Sequence, residues 1–202
     1  MRFYSIRRWL TVALCWAAMA APAAAHPHVF IDYTVTILCG ADRITGVRIA
    51  WTFDEMYSAS LFHDYTSRPK GPLSAADIAE LEKGAFQDSA EDHYFIDITF
   101  GAKVLPVARA TDFDASYDGR RMTYRFTIPV DLAPGQRTGI LDVASFDTEF
   151  YIDFELAKHD PVTIRRGTQF KLSCRPEPVT RETTTFGPMQ TRIARCRLPG
   201  AA

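Results

Sequence analysis

Val29-Phe30-Ile31-Asp32-Tyr33-Thr34-Val35-Thr36-Ile37-Leu38, a turn at Gly40-Ala41-Asp42, and then Ile44-Thr45-Gly46-Val47-Arg48-Ile49-Ala50-Trp51-Thr52-Phe53 form the stretch whose reading decides the fold. Both runs are rich in β-branched and aromatic residues, which suit a pleated, half-buried surface. The first partly alternates apolar with polar residues, and a short turn joins it to the second, so the pair reads as an antiparallel hairpin. Whatever precedes Val29 is therefore anchored at the end of a sheet.

Downstream, Asp54 stands at a helix N-cap with Glu55 in the first turn, where the positive end of the macrodipole favours a carboxylate. A short helix continues through His63. After a loop holding Pro69, Gly71 and Pro72, Ser74 and Asp77 form a capping-box pattern that opens a second helix through Phe86. The same loop has the outline of an EF-hand at Gly71, Leu73, Ser74 and Asp77, but Arg68 and Lys70 fall where acidic ligands belong, so no calcium site is expected. Strand-like runs then follow over 94–100, 104–108, 122–130, 139–145, 150–156, 162–165 and 168–174, separated by turn signals at Gly101, Asp118-Gly119, Pro134-Gly135 and His159-Asp160-Pro161. The fold expected is mainly β (α+β): an antiparallel β-sandwich or partial barrel with a helix-loop-helix insertion.

Upstream, residues 1–25 have the parts of a secretory signal peptide: Arg2, Arg7 and Arg8, an apolar run from Trp9 to Ala21, and small residues at Ala23 and Ala25. Residues 26–202 then form a single periplasmic β-rich domain, with no membrane insertion because no later run reaches the roughly 20 apolar residues of a spanning helix. Removing the signal takes away three of 23 basic residues and none of 24 acidic ones, so the remainder is mildly acidic and lacks the basic excess of a nucleic-acid binder. Cys39, Cys174 and Cys196 remain. In an oxidising compartment one disulfide is expected; Cys174–Cys196 is favoured because both lie in C-terminal strand-like runs separated by a loop rich in Pro and Thr, and Cys39–Cys174 is the alternative.

Cleavage after Ala25 makes His26 the first residue, so a free amine and the imidazoles of His26 and His28 come together. Neutral imidazole binds borderline divalent cations near pH 7, and residues i and i+2 of a strand share a face. His26 and His28 are the primary candidate ligands, with Asp54, Glu55 and Asp147 as possible partners. Cleavage after Ala23 instead gives Ala24-Ala25-His26, a motif suited to copper(II) or nickel(II). The metal is a divalent transition metal of unspecified identity. A copper enzyme built on an N-terminal histidine brace is the alternative and needs a third nitrogen from His63, His93 or His159; a metal-free interaction module is the other. No Gly-x-Ser-x-Gly elbow, phosphate-binding glycine loop, His-Glu-x-x-His or Cys-x-x-Cys is present, so the chain reads as non-enzymatic.

His26-Pro27-His28-Val29-Phe30-Ile31-Asp32, Trp51-Thr52-Phe53-Asp54-Glu55-Met56-Tyr57-Ser58, the loop through Gly71, Leu73 and Ser74, and Phe146-Asp147-Thr148-Glu149-Phe150-Tyr151-Ile152-Asp153 resemble domain-of-unknown-function family 1007, bacterial periplasmic proteins often labelled as components of ABC-type transport systems. Phe186 to Cys196 resembles the family's closing strand. The resemblance implies a metal-handling role beside a nickel/cobalt-type or zinc-type transport system, with an inner-membrane metal permease or ABC-type transporter as partner.

Overall fold

A computed structural model describes residues 28–41, 43–67, 71–132, 139–165 and 172–198. The signal-like segment and His26 lie outside the described residues. The predicted hairpin is present as β1 (Val29–Cys39) and β2 (Ile44–Phe53), paired antiparallel with Ile31 opposite Phe53 and Ile37 opposite Val47. Along β1 the odd-numbered residues Val29 to Ile37 are buried and the even-numbered ones face outward, the period-2 pattern of a strand with one face in a core.

The helical insertion follows as α1 (Glu55–Tyr65) and α2 (Ala75–Leu81), and α2 runs on through a π-turn over Glu82–Phe86. Both predicted caps are made. Asp54 accepts from the Tyr57 N–H, and Ser74 and Asp77 bond reciprocally. The strands after the insertion are β3 (Ile96–Phe100), β4 (Lys103–Val104), β5 (Thr111–Tyr117), β6 (Met122–Leu132), β7 (Ile140–Ser145), β8 (Ile152–Leu156), β9 (Val162–Arg165), β10 (Ser173–Thr183) and β11 (Gly187–Arg197).

Two sheets result. One has the order β5-β6-β2-β1-β8 with β9 also on β1; the other has the order β10-β11-β7-β3-β4. The mainly-β sandwich with a helical insertion is as expected, with three differences. First, β8 and β9 run parallel to β1, because the chain crosses from the second sheet at β7 into the first at β8 instead of turning back as a hairpin. Second, the run at 104–108 is a strand only at its start, and β5, which was not expected, is an edge strand. Asp112 and Asp114 are exposed there, and a register shift lies between Thr111 and Asp114, so its acidic composition suits an outer rim. Third, the segment between the late cysteines is not a loop but a long hairpin, β10 with β11. Pro176 and Pro178 are tolerated in β10 because it is the outermost strand, whose outward-facing amides have no ladder partner. Cys174 and Cys196 sit directly opposite each other in this hairpin and are disulfide-bonded, closing a separation of 22 residues. Cys39 takes no part in that bond.

The core between the sheets is strongly aromatic. Trp51 meets Phe126 edge-on at 4.8 Å and lies 5.4 Å from Phe154, and Phe86 reaches down from the π-turn onto Phe126 at 4.8 Å. Two polar ties cross the core. The Trp51 indole N–H donates to Ser145 Oγ at 3.1 Å, and the Tyr33 hydroxyl donates to the Arg192 carbonyl at 2.8 Å. Burial pushes the Tyr33 phenol up to about 12, so it keeps its proton across the neutral range. A third tie secures the insertion: fully buried Ser58 donates to the Phe53 carbonyl and accepts from the Met122 N–H at 2.8 Å.

Ser145→Ala leaves the buried indole N–H unpaired, so the expected loss is about 1–3 kcal/mol of unfolding free energy. Equilibrium denaturation followed by tryptophan fluorescence checks it; an unchanged midpoint would show that this tie is dispensable.

Candidate functional site

His28 stands at the mouth of the sandwich, immediately before β1. Its side chain is exposed, its ring lies 4.8 Å from that of Tyr151, and its N–H donates to the Tyr151 carbonyl at 2.9 Å. The parallel register continues this pairing: Phe30 is opposite Asp153 and Asp32 is opposite Glu155. Since Val29, Ile31, Phe154 and Leu156 turn into the core, the alternate residues Phe30, Asp32, Asp153 and Glu155 share the outer face of the sheet. His28 leads into that face.

Two carboxylates hold this strand end in place. Asp54 receives the Phe30 N–H on Oδ2 at 3.0 Å and the Tyr57 N–H on Oδ1 at 2.9 Å, while its own N–H donates to the Phe30 carbonyl. One side chain therefore caps α1 and pins the start of β1. Asp147 is only 6% exposed, and its carboxylate accepts three backbone N–H groups, those of Glu149, Tyr151 and Ile152, at 2.9–3.0 Å. It folds the crossover loop back on itself and sets Tyr151 beside His28. Glu55 points elsewhere and pairs with Arg120 at 2.6 Å, an exposed ion pair of small energetic worth.

The sequence motifs around Asp54 and Asp147 thus converge on the histidine strand, but through backbone N–H groups. Among the described residues no group of three or more His, Cys, Asp and Glu side chains is arranged to hold a metal ion. His28, Asp54, Glu55 and Asp147 are not brought together as one ligand set, because the acceptor oxygens of both aspartates are already directed at main-chain amides. His63 lies in the last turn of α1, His93 in a left-handed turn before β3 and His159 between β8 and β9, on three separate elements. Asp77, the last position of the EF-hand outline, is 5% exposed and committed to Ser74.

Asp153 is the carboxylate that sequence reasoning undervalued. On the outer face next to Phe30, it has no hydrogen-bond or ion-pair partner among the described residues, and partial burial followed by the neighbouring Glu155 charge raises its pKa above the ordinary carboxylate value. Alternation within Tyr151-Ile152-Asp153-Phe154 signals an outward position; only the parallel pairing with β1 reveals its neighbour.

Two outcomes follow. Asp147→Ala strips three buried or half-buried amides of their acceptor and is expected to cost about 3–5 kcal/mol, measurable by urea denaturation, with loss of the His28 ring contact seen in its NMR shifts. Asp153 binds its proton more tightly folded than unfolded, so its contribution to stability is present below the unfolded carboxyl pKa and is lost as pH rises through the raised folded value. Asp153→Asn is therefore expected to flatten the fall in stability just above the normal carboxylate range and to leave the variant more stable at neutral pH. Melts across pH that superimpose with those of the parent would contradict this.

A family model described as "Protein of unknown function (DUF1007)" matches residues 11–186. An uncharacterized 15.5 kDa protein in the trpE 3' region of Spirochaeta aurantia is 31% identical over 102 residues, which is 50% of this chain and 72% of that one. Among solved structures, AChBP from Bulinus truncatus aligns with 95% of this chain and 97% of its own at 11% identity and a TM-score of 0.47, a likeness that bears on neither ligand nor activity. With the histidine lead, the crossover loop and most of both sheets inside the matched span, the chain belongs to the DUF1007 family of proteins of unknown function.

Proposed function

We propose that this chain is an exported, non-enzymatic protein that binds a divalent transition metal through its N-terminal histidines and serves as a periplasmic accessory to a metal permease or ABC-type transporter of the inner membrane. The observation that carries the reading is the placement of His28: an exposed imidazole at the sandwich mouth, its backbone tied to the Tyr151 carbonyl and its ring against that of Tyr151. Ordering one ligand in advance lowers the entropic cost of closing a site around an ion. His26 is two residues upstream in the sequence. Asp153, on the outer face of β8, is the carboxylate best suited to join them. Asp54 and Asp147 act by positioning, and Glu55 is left to Arg120.

Two features agree with an extracytoplasmic setting. The Cys174–Cys196 bond is of the kind that persists in oxidising compartments, and among the described residues no helix is long and apolar enough to cross a membrane. An accessory that hands its ion to a transporter needs an accessible site, and the mouth of the sandwich offers one.

The test is calorimetric titration of the processed protein with nickel, cobalt, zinc and copper, after mass spectrometry has fixed its first residue. One ion per chain is expected, with affinity at least about 100-fold lower in His26→Ala/His28→Ala, since each lost imidazole removes a direct ligand. Asp153→Asn should weaken binding by a smaller factor. Equal affinity in the double-histidine variant, or no uptake of any of the four ions, would overturn the proposal; persistent copper binding with oxygen turnover would favour a histidine-brace enzyme instead.

A further inference from the structure

A recess of about 330 Å³ opens between β8, the edge strand of the first sheet, and the β10–β11 hairpin of the second. Phe146 and Phe150 of the crossover, Phe154 of β8, and Pro178 and Met189 of the hairpin supply its apolar walls. Its volume lies at the lower end of ligand pockets and suits one long side chain better than a larger molecule. Strand addition is not what this edge offers. The Ile152 N–H is claimed by Asp147, the Leu156 carbonyl by the Arg192 guanidinium, and Phe154 and Leu156 are buried. Those same bonds hold the walls in place, so recognition falls to side chains on a preformed surface.

The charges in the recess are unbalanced. Arg192 is the one cation that lines it, and its guanidinium is already engaged by the Leu156 carbonyl and by Glu155 at 3.6 Å. Asp153 also lines it and has no hydrogen-bond or ion-pair partner among the described residues. One half-buried carboxylate is therefore left without a counter-charge.

The rim supplies an independent observation. Of the five large apolar side chains that stand exposed among the described residues, three gather here: Phe30 and Tyr151, each 50% exposed, and Phe186, 39% exposed. Phe30 is opposite Asp153 in the parallel register, Tyr151 adjoins Ile152, and the Phe186 ring packs 5.6 Å from that of Phe150. Clustered exposed aromatics around a recess are a mark of protein–protein contact sites, whose strongest contacts are aromatic and arginine side chains.

We propose that this surface docks a segment of a partner protein that inserts one arginine, flanked by apolar residues, into the recess. A planar guanidinium matches the open carboxylate of Asp153 with two parallel N–H bonds and stacks on aromatic faces. The flanking apolar residues cover Phe30, Tyr151 and Phe186 and exclude water from the ion pair. The proposal goes beyond the metal reading and needs no bound ion; Asp153 is the residue the two share.

The experiment is calorimetry on the processed protein with EDTA present, so that no ion competes for Asp153. The probe is the peptide Ac-Ala-Leu-Arg-Leu-Ala-NH2, compared with the same peptide carrying Gln or Glu in place of Arg. The Arg peptide is expected to bind one-to-one with a Kd below about 1 mM, at least about tenfold more tightly than either of the others. Asp153→Asn should bring the Arg and Gln peptides to equal affinity, a change of preference that a merely structural aspartate would not cause. Phe30→Ser/Phe186→Ser, at exposed positions, should weaken the Arg peptide at least about threefold with the circular dichroism spectrum unchanged. His26→Ala/His28→Ala should bind the peptide as the parent does, so that failure of the metal reading and failure of this one are told apart. Equal binding of the three peptides, or no binding of the Arg peptide up to about 1 mM, would overturn the proposal. So would binding to phosphatidylcholine–phosphatidylglycerol vesicles in place of the peptide, lost in Phe30→Ser/Phe186→Ser, which would make the surface a membrane contact.

Discussion

Much of this molecule depends on the Asp147 carboxylate and the three amides it accepts. Asp147 lies where the chain leaves one sheet and enters the other, a passage that exposes main-chain N–H groups with no ladder to join. A buried carboxylate meets that need more strongly than a neutral acceptor would, because the bonds are charge-assisted. With the crossover closed, β8 enters parallel to β1 in a fixed register, and Tyr151 arrives beside His28. Neighbouring bonds reinforce the corner: the Phe146 N–H reaches the Phe95 carbonyl, and the Thr184 N–H reaches the Thr148 carbonyl. The tip of the last hairpin, the strained turn before β3 and the start of β1 thus meet around one loop.

That corner also lies between the exposed histidine lead and the recess under the helical insertion. On its outer side lies the histidine lead with Phe30 and Asp153. On its inner side, roofed by α1 and the π-turn, lies that recess, a cavity with aromatic walls. Ile152 lines the inner cavity, while its neighbours Tyr151 and Asp153 belong to the outer face, so one short strand serves both. Asp54 has a comparable double position, capping the helix that roofs the cavity while pinning the strand that follows the histidine.

The hairpin, both helix caps and the buried alternation of β1 were legible in the sequence because each is settled by neighbours within a few positions. Ser74 needs only Asp77, and Ile31 needs only to alternate with Phe30 and Asp32. What escaped depends on partners far along the chain. The acidic run at Thr111–Tyr117 is a poor strand by composition and becomes one only because β6 accepts it at an edge. The prolines of Ser173–Thr183 suggest a loop until β11 pairs along its whole length. The carboxylates of Asp54 and Asp147 look like ligands in a linear text, since nothing local shows that amides at Phe30 or Ile152 will claim them.

The two outermost long strands share a further property. β10 carries Pro176 and Pro178, which present no N–H to a newcomer, and β5 is interrupted by a register shift beside exposed Asp112 and Asp114. A sheet edge is a template for another chain, and both of these are poor templates, one lacking donors and the other charged and irregular. Another copy of this protein that approaches along β10 or β5 therefore meets no regular strand to extend, and at these two rims the sandwich does not invite the ordered aggregation that exposed β-structure otherwise promotes.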